Sequence, residues 1–324
     1  MSEYTKQLVG RQAAELGFIR DTFEKVCRLS ELLAYFETES TLSRYLALKG
    51  GTAINLTIFN LPRLSVDIDL DFSENLSRDE MLAARKDIND VLSRYMVANG
   101  YMLNEAKSKH YHTLDSFVYH YTNTGGVSDN IKVEINYALR AHILPLTRRP
   151  VITLGVLKPS TVFSLDIIEI FASKSVALLM RAAARDLYDL NNAICYGLFD
   201  DSQADVFRKC VVFYSAVGSD TIPEAFDFDR IKTITPYRIR TDLTPVIRKK
   251  EHFDLTAAQE RVKNCLTEKL TLTENERSFL AAFQSKEYRP ELLFNGKMLE
   301  NAYSHPMALW KMQEHGSENV NTIT

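Results

Sequence analysis

Residues 64–72, Leu-Ser-Val-Asp-Ile-Asp-Leu-Asp-Phe, alternate without exception. Side chains of a strand alternate with period two. Leu64, Val66, Ile68, Leu70 and Phe72 therefore share one face, and Ser65, Asp67, Asp69 and Asp71 share the other. Such a segment is a strand with one side in a core and three carboxylates on the opposite side. Aspartate is disfavoured in strands, and like charges on one face repel. Asp67 and Asp69 stand about 6–7 Å apart along the strand, a separation that a cation between them stabilises. The pair suits Mg²⁺, a hard ion that takes carboxylate oxygens together with substrate phosphates. A solvent-facing edge strand, charged against aggregation, has the same pattern. The carboxylates alone leave both readings open.

The residues just ahead narrow the choice. Lys49-Gly50-Gly51-Thr52 follows a short apolar run, and Thr52 opens a helical stretch that Pro62 ends. Paired glycines let backbone N–H groups come close to a phosphate. A plain turn has the same sequence, but a turn placed directly before an acidic strand is a more specific signal. A second alternating segment, residues 131–137, puts Lys132, Glu134 and Asn136 opposite Ile131, Val133 and Ile135. Paired beside the acidic strand, it would bring Glu134 next to Asp67 and Asp69; unpaired, it is an ordinary polar face.

Residues 167–190 read as helix. At 100° per residue, Lys174, Leu178, Arg181 and Arg185 lie on one stripe. Three cations on a stripe suit a triphosphate, since Arg forks its oxygens and Lys supplies a point charge. A solvated basic face is the plainer reading. Asp186 has a local role available as the cap of a new helix, with Asp189 favouring the N-terminal dipole.

These three segments, KGGTAINL, RLSVDIDLDF and the Lys174–Leu190 stretch, resemble the AbiEii/AbiGii toxin family of nucleotidyltransferases, within the polymerase-β-like superfamily. The resemblance spans roughly residues 45–195. It implies an α+β fold: a minimal mixed sheet with flanking helices over residues 1–165, then a mostly helical part over 166–324. It implies two Mg²⁺ ions on Asp67 and Asp69, with Glu134 as third carboxylate. It implies Gly50, Gly51, Thr52, Ser65, Lys174 and Arg181 around a nucleoside triphosphate, and Asp186 as the motif aspartate of the site. The implied activity is transfer of a nucleoside monophosphate to an acceptor, with the 3′ end of tRNA the leading one, by the toxin of a toxin–antitoxin or phage-defence pair. A cognate antitoxin is the implied partner. Nucleotidylation of a protein or small molecule, a Mg²⁺-dependent phosphohydrolase and an inactive nucleotide-binding regulator are the other functions compatible with these residues.

Composition limits how an acceptor binds. Lys and Arg number 39 against 42 Asp and Glu, a net charge of −3. No global cationic field exists, so nucleic acid needs a local patch. Arg238, Arg240, Arg248, Lys249 and Lys250, with Tyr237 and Phe253 nearby, offer one. Cys27, Cys195, Cys210 and Cys265 are scattered and argue against a zinc ribbon or a disulfide framework. His110, His112 and His120 show no metal spacing. The first residues are polar and no run of about 18 apolar residues occurs, so a soluble cytoplasmic protein without a membrane partner is expected.

Overall fold

The computed structural model describes residues 4–152, 160–198, 201–219 and 225–313. Helices α1 (Lys6–Leu16), α2 (Arg20–Thr38) and α3 (Ser40–Tyr45) precede strand β1 (Leu46–Lys49). The single turn α4 (Gly50–Ala53) runs into a π-helical turn, Ile54–Ile58, and is followed by β2 (Asp67–Phe72) and α5 (Arg78–Ala98). Strands β3 (Met102–Leu103), β4 (Lys109–Tyr111), β5 (Leu114–Thr122), β6 (Ser128–Asn136), β7 (Thr147–Val151) and β8 (Ser160–Ser164) come next. The rest is helical: α6 (Ile167–Arg181), α7 (Ala184–Cys195), α8 (Asp201–Gly218), α9 (Pro236–Arg238), α10 (Leu255–Lys269), α11 (Glu274–Gln284), α12 (Gly296–Tyr303) and α13 (Pro306–Met312).

The strands form one sheet in the order β3-β5-β6-β2-β1-β8-β7, with β4 also paired to β5. β2 runs parallel to β6 and antiparallel to β1, while β1 and β8 are parallel. The sheet is therefore mixed, with helices around it and a helical second half, as the sequence implied. The register decides the site: Asp67 lies opposite Lys132, Asp69 opposite Glu134 and Asp71 opposite Asn136. On the other face of β2, Ile68, Leu70 and Phe72 are buried. They join Phe23, Val26 and Leu33 of α2 and Ile88 and Leu92 of α5 in one apolar cluster, each such side chain contributing about 1.5–3 kcal/mol on burial. The same cluster continues through Phe213 of α8 and Phe279 of α11.

Three expectations change. The strand starts at Asp67, not Leu64, because the preceding residues pair elsewhere. The Leu64 amide donates to the Val246 carbonyl at 2.7 Å, and Arg63 bridges Ile247. The helix expected over 167–190 is two helices. Ala182 adopts a left-handed conformation, φ +48°, and the chain turns before Ala184. Residues 101–106, which by sequence belong to the run of strands after α5, contribute only the two-residue β3. The apolar run 151–157 reads by sequence as a short strand, but its residues 153–157 lie outside the described residues, as does the polar tail from 314 onward. Among the described residues, no helix is long and apolar enough to cross a membrane.

Candidate active site

A cavity of about 560 Å³ opens over the acidic face of β2. Asp67, Asp69 and Asp71 line its floor, and Glu134 of β6 borders it. Gly50, Gly51 and Ser65 line one wall; Lys174, Arg181, Arg185 and Asp186 line another. The glycine turn and the acidic strand thus meet the distant Lys174–Leu190 stretch at one opening. Thr52 is the exception: it is fully buried, its hydroxyl donating to the Asp67 carbonyl and lying 2.9 Å from Ser65 Oγ. Its side chain holds the glycine turn against the start of β2.

The glycines are required by protein neighbours as well as by any ligand. Gly50 has φ +65°, and a Cβ there would strike the Asp69 carboxylate. A Cβ on Gly51 would lie 2.7 Å from the Arg63 guanidinium and 2.9 Å from Ser65 Oγ. Burial pushes the Asp67 carboxyl up, against the pull of Lys132 and Arg185. Burial likewise raises Asp69, opposed by Lys49 and reinforced by the Glu134 and Asp67 charges. Glu134 pairs with Lys132 at 2.8 Å. Among the described residues no three acidic, histidine or cysteine side chains are close enough to form a ready-made metal cage. The donor set is therefore one or two hard carboxylates beside open space. That fits an ion that takes the rest of its oxygens from water and substrate phosphates. Asp71, on the same face, is neither solvated nor free: it is buried and paired with Lys49.

The second wall is an ion-pair network that the sequence did not disclose. Arg63 is buried and grips Asp189 in a bidentate pair, Nε–Oδ1 2.7 Å and Nη2–Oδ2 2.6 Å. Lys174 Nζ lies 2.9 Å from Asp186 Oδ1 and 3.1 Å from Asp189 Oδ2. Arg181 closes the chain on Asp186 Oδ2 at 2.8 Å. Burial opposes ionisation of both aspartates, but Lys174 and Arg181 hold Asp186 below the usual carboxylate range. Arg63 and Lys174 do the same for Asp189. Asp186 sits in the first turn of α7, yet the cap residue is Ala183, with no side-chain cap bond. The capping role considered for Asp186 is not what its carboxylate does. The turn at Ala182 places it within reach of both Lys174 and Arg181.

A sequence profile described as "Nucleotidyl transferase AbiEii toxin, Type IV TA system" matches residues 31–284, most of the chain and all of the site. The chain belongs to the AbiEii nucleotidyltransferase toxin family. The toxin is thus a transferase of a type IV toxin–antitoxin system, a class that uses nucleoside triphosphates and is paired with an antitoxin. Its fold is similar to that of MenT4, a nucleotidyltransferase toxin from Mycobacterium tuberculosis H37Rv. The TM-score is 0.68 at 18% identity, over 94% of this chain and 99% of that one. No curated protein matches it in sequence.

Of the basic island, one residue is committed to the protein itself. Arg248 is half-buried: its guanidinium donates to the Leu16 carbonyl at 3.2 Å and the Leu61 carbonyl at 3.3 Å, 5.2 Å over the Phe18 ring. It fastens the loop after α9 to α1. Arg238 is exposed and 3.5 Å from Asp242, and Arg240, Lys249 and Lys250 are exposed. Arg185 donates to the Asp242 carbonyl at 2.7 Å, so that loop also touches the cavity wall. Of the histidines, His110 does have an acidic partner, Asp115 at 2.8 Å, but Arg85 grips the same carboxylate. Arg63 and Asp189 were the missed residues of the site. Their signal was weak but present: an aspartate between Leu187, Tyr188 and Leu190 in a helix is a buried charge in need of a partner.

Proposed function

We propose that the toxin transfers a nucleoside monophosphate from a nucleoside triphosphate to the 3′ hydroxyl of an RNA, tRNA first among them, the acceptor oxygen bonding the α-phosphorus as pyrophosphate leaves, with Mg²⁺ at Asp67 and Asp69. The supporting observation is the parallel register that sets Glu134 opposite Asp69, beside an open cavity whose far wall carries Lys174 and Arg181. On this reading residues 1–165 supply the carboxylates, and 166–324 supply Lys174, Arg181 and Asp186.

Divalent metal bound there would offset charge on the reacting phosphate and make the acceptor hydroxyl more acidic. The protein's own groups do the rest. Gly50 and Gly51 leave the backbone open to the triphosphate, and Ser65 borders the same wall. Arg181, whose side chain is 65% exposed, meets the phosphates first. Lys174 follows by loosening its hold on Asp186, which Arg181 shares. Glu134 takes its place on the acceptor side when Lys132 releases it, and the Lys132 ammonium stays nearby to balance the carboxylates.

Incubation with each α-labelled nucleotide and total cellular RNA tests the proposal. Label retained at RNA 3′ ends is the expected result. Label on protein would move the acceptor class. Free nucleoside monophosphate would make the reaction a hydrolysis and overturn the transfer reading.

A further inference from the structure

A smaller cavity of about 240 Å³ lies beside the first, and His142 lines both. Its other polar lining includes Ser73, Asn75, Arg140, Asn301 and Ser304. The chain reaches it directly from the site. β6 carries Glu134 and ends at Asn136, whose Oδ1 accepts from the Ala138 amide at 2.8 Å and the Leu139 amide at 3.1 Å. This turn throws Arg140 and His142 just beyond the strand. Asn301 of α12 pins the loop by donating to the Ile143 carbonyl at 3.0 Å, and Asn75 donates to the Ser304 carbonyl at 3.2 Å. The pocket is therefore braced from both halves of the chain.

Its donors lack acceptors. Arg140 Nε and His142 Nε2 are buried atoms with no hydrogen-bond partner among the described residues. Burial alone pushes the Arg140 guanidinium down, with no carboxylate acting on it. Burial and the Lys49 charge push His142 down to about 4, so its ring is neutral near pH 7 and still donates from one nitrogen. Other cations around the main cavity have their acceptors: Arg63 has Asp189, Lys174 has Asp186, Lys49 has Asp71, and Arg185 has the Asp242 carbonyl. An arginine left unpaired beside a neutral imidazole donor, in a braced polar pocket, is a complement for a phosphate oxygen pair.

We infer that Arg140 and His142 form a phosphate subsite that holds a backbone phosphate of the acceptor strand near its reacting 3′ end. Two sources of phosphate are available, the acceptor and the nucleotide. The position favours the acceptor. The cations assigned to the triphosphate, Lys174 and Arg181, gather on α6 around Asp186. His142 lines the same cavity and feels the charge of Lys49, which pairs with Asp71 at the far end of β2's acidic row, one strand step or about 7 Å beyond Asp69. A strand whose end rests at Asp69 and Glu134 would carry its next phosphate over that end. The inference rests on RNA as acceptor.

The test is binding, without nucleotide, of the full-length toxin to a fluorescent RNA hairpin with a single-stranded CCA 3′ end. A second hairpin carries neutral methylphosphonate at its last two linkages. Wild type should bind the neutral version about tenfold more weakly, the worth of one charge-assisted contact. Arg140→Met should bind both hairpins equally, at the weaker level, with nucleotide affinity unchanged; Arg140→Lys should recover part of the difference, and His142→Phe should reduce it. Unchanged melting of each variant guards against misfolding, and Arg140→Gln replaces the methionine variant if that fails. A variant that keeps full discrimination between the hairpins overturns the subsite. Weakened nucleotide affinity in Arg140→Met, with RNA binding intact, gives the pocket to the triphosphate and overturns it too. A wild-type protein that ignores both hairpins overturns the acceptor reading itself, a failure seen before any variant is made.

Discussion

Asp67 and Asp69 on β2 and Asp186 on α7 line the same cavity, with Asp189 buried one turn beyond Asp186, and burial acts on all four in the same direction. Their partners separate them. The α7 pair is ringed by Arg63, Lys174 and Arg181 and held below the usual carboxylate range. The β2 pair faces mainly the more distant cations Lys132, Arg185 and Lys49, has Glu134 beside it, and is pushed up. A folded chain does not leave two carboxylates in that condition for stability, because each burial without a partner costs free energy. The α7 pair is complete without a ligand; the β2 pair becomes complete only with one. On the proposed function, transfer chemistry falls to β2 and the shape of the triphosphate wall to α7.

The largest effect expected from this contrast is on turnover. Asp67→Ala or Asp69→Ala should lower the rate of nucleotide transfer about a thousandfold, the scale of losing one central electrostatic contact. Melting should stay level or rise slightly, since mutual repulsion is relieved. Labelled-nucleotide transfer and thermal unfolding on the same preparations decide it. Near-wild-type transfer in either variant would break the division between the two pairs.

The α7 pair should answer in the opposite way. Asp189→Ala leaves Arg63 fully buried without its carboxylate and should cost about 3–5 kcal/mol of stability. Asp189→Asn should cost less, because the amide oxygen still accepts one guanidinium bond. Urea unfolding measures both. Lys174→Ala adds a sharper cut: it strips one cation from two carboxylates and should weaken nucleotide affinity and stability together. An Asp189→Ala protein as stable as wild type but inactive would mean that the network serves chemistry and not architecture.

How far these roles were legible follows from what each depends on. The acidic strand was readable because alternation is a local property, and so was the face that Glu134 shares with Lys132. The register that pairs Asp69 with Glu134 is not local, and only the family resemblance pointed to it. The break between α6 and α7 was hidden for a physical reason: Ala182-Ala183-Ala184 is as strong a helix-forming run as exists. Tertiary ion pairing to Asp186 overrides that propensity at the cost of a left-handed alanine. Arg63 and Asp189 are 126 residues apart, and no spacing rule joins them. The sequence could not set Arg248 apart from the rest of the basic island, because charge counting cannot tell an arginine that faces water from one committed to backbone carbonyls.

A third effect comes from a carboxylate that belongs to neither pair. Glu169 on α6 is fully buried; its Oε1 accepts from the Ile143 amide at 2.8 Å and from the Tyr214 hydroxyl, while Oε2 has no hydrogen-bond partner among the described residues. Burial raises it to about 7, against the pull of those donors. A carboxyl raised in the folded state stabilises fully below its unfolded value, near 4.5, and that contribution is lost as pH rises through about 7. Glu169→Gln keeps the neutral form at every pH. It should remove a pH-dependent loss of about 2 kcal/mol between pH 5 and 8, read as a flatter profile of melting temperature. A profile as steep as wild type would place the charge elsewhere.

The smallest expected effect concerns the exposed lysines. With a net charge of −3, RNA must be met by a local field. Arg248 is not part of it, since its guanidinium is taken up by the Leu16 and Leu61 carbonyls. Lys249 and Lys250 are exposed on the loop that Arg248 anchors. Reversing only these two to Glu tests the patch without loosening the loop. Each RNA phosphate that the variant no longer neutralises should reduce the log–log salt slope of binding by about 0.7 on a single strand, so a double contribution flattens it by about 1.4. Nucleotide affinity and melting should not move, because neither side chain lines the cavity. Arg248→Glu should instead lower stability, by opening the contact between the loop and α1. An unchanged salt slope in the lysine reversal would take these two lysines out of the acceptor contact and leave it to Arg238, Arg240 and the cavity's own cations, with Arg140.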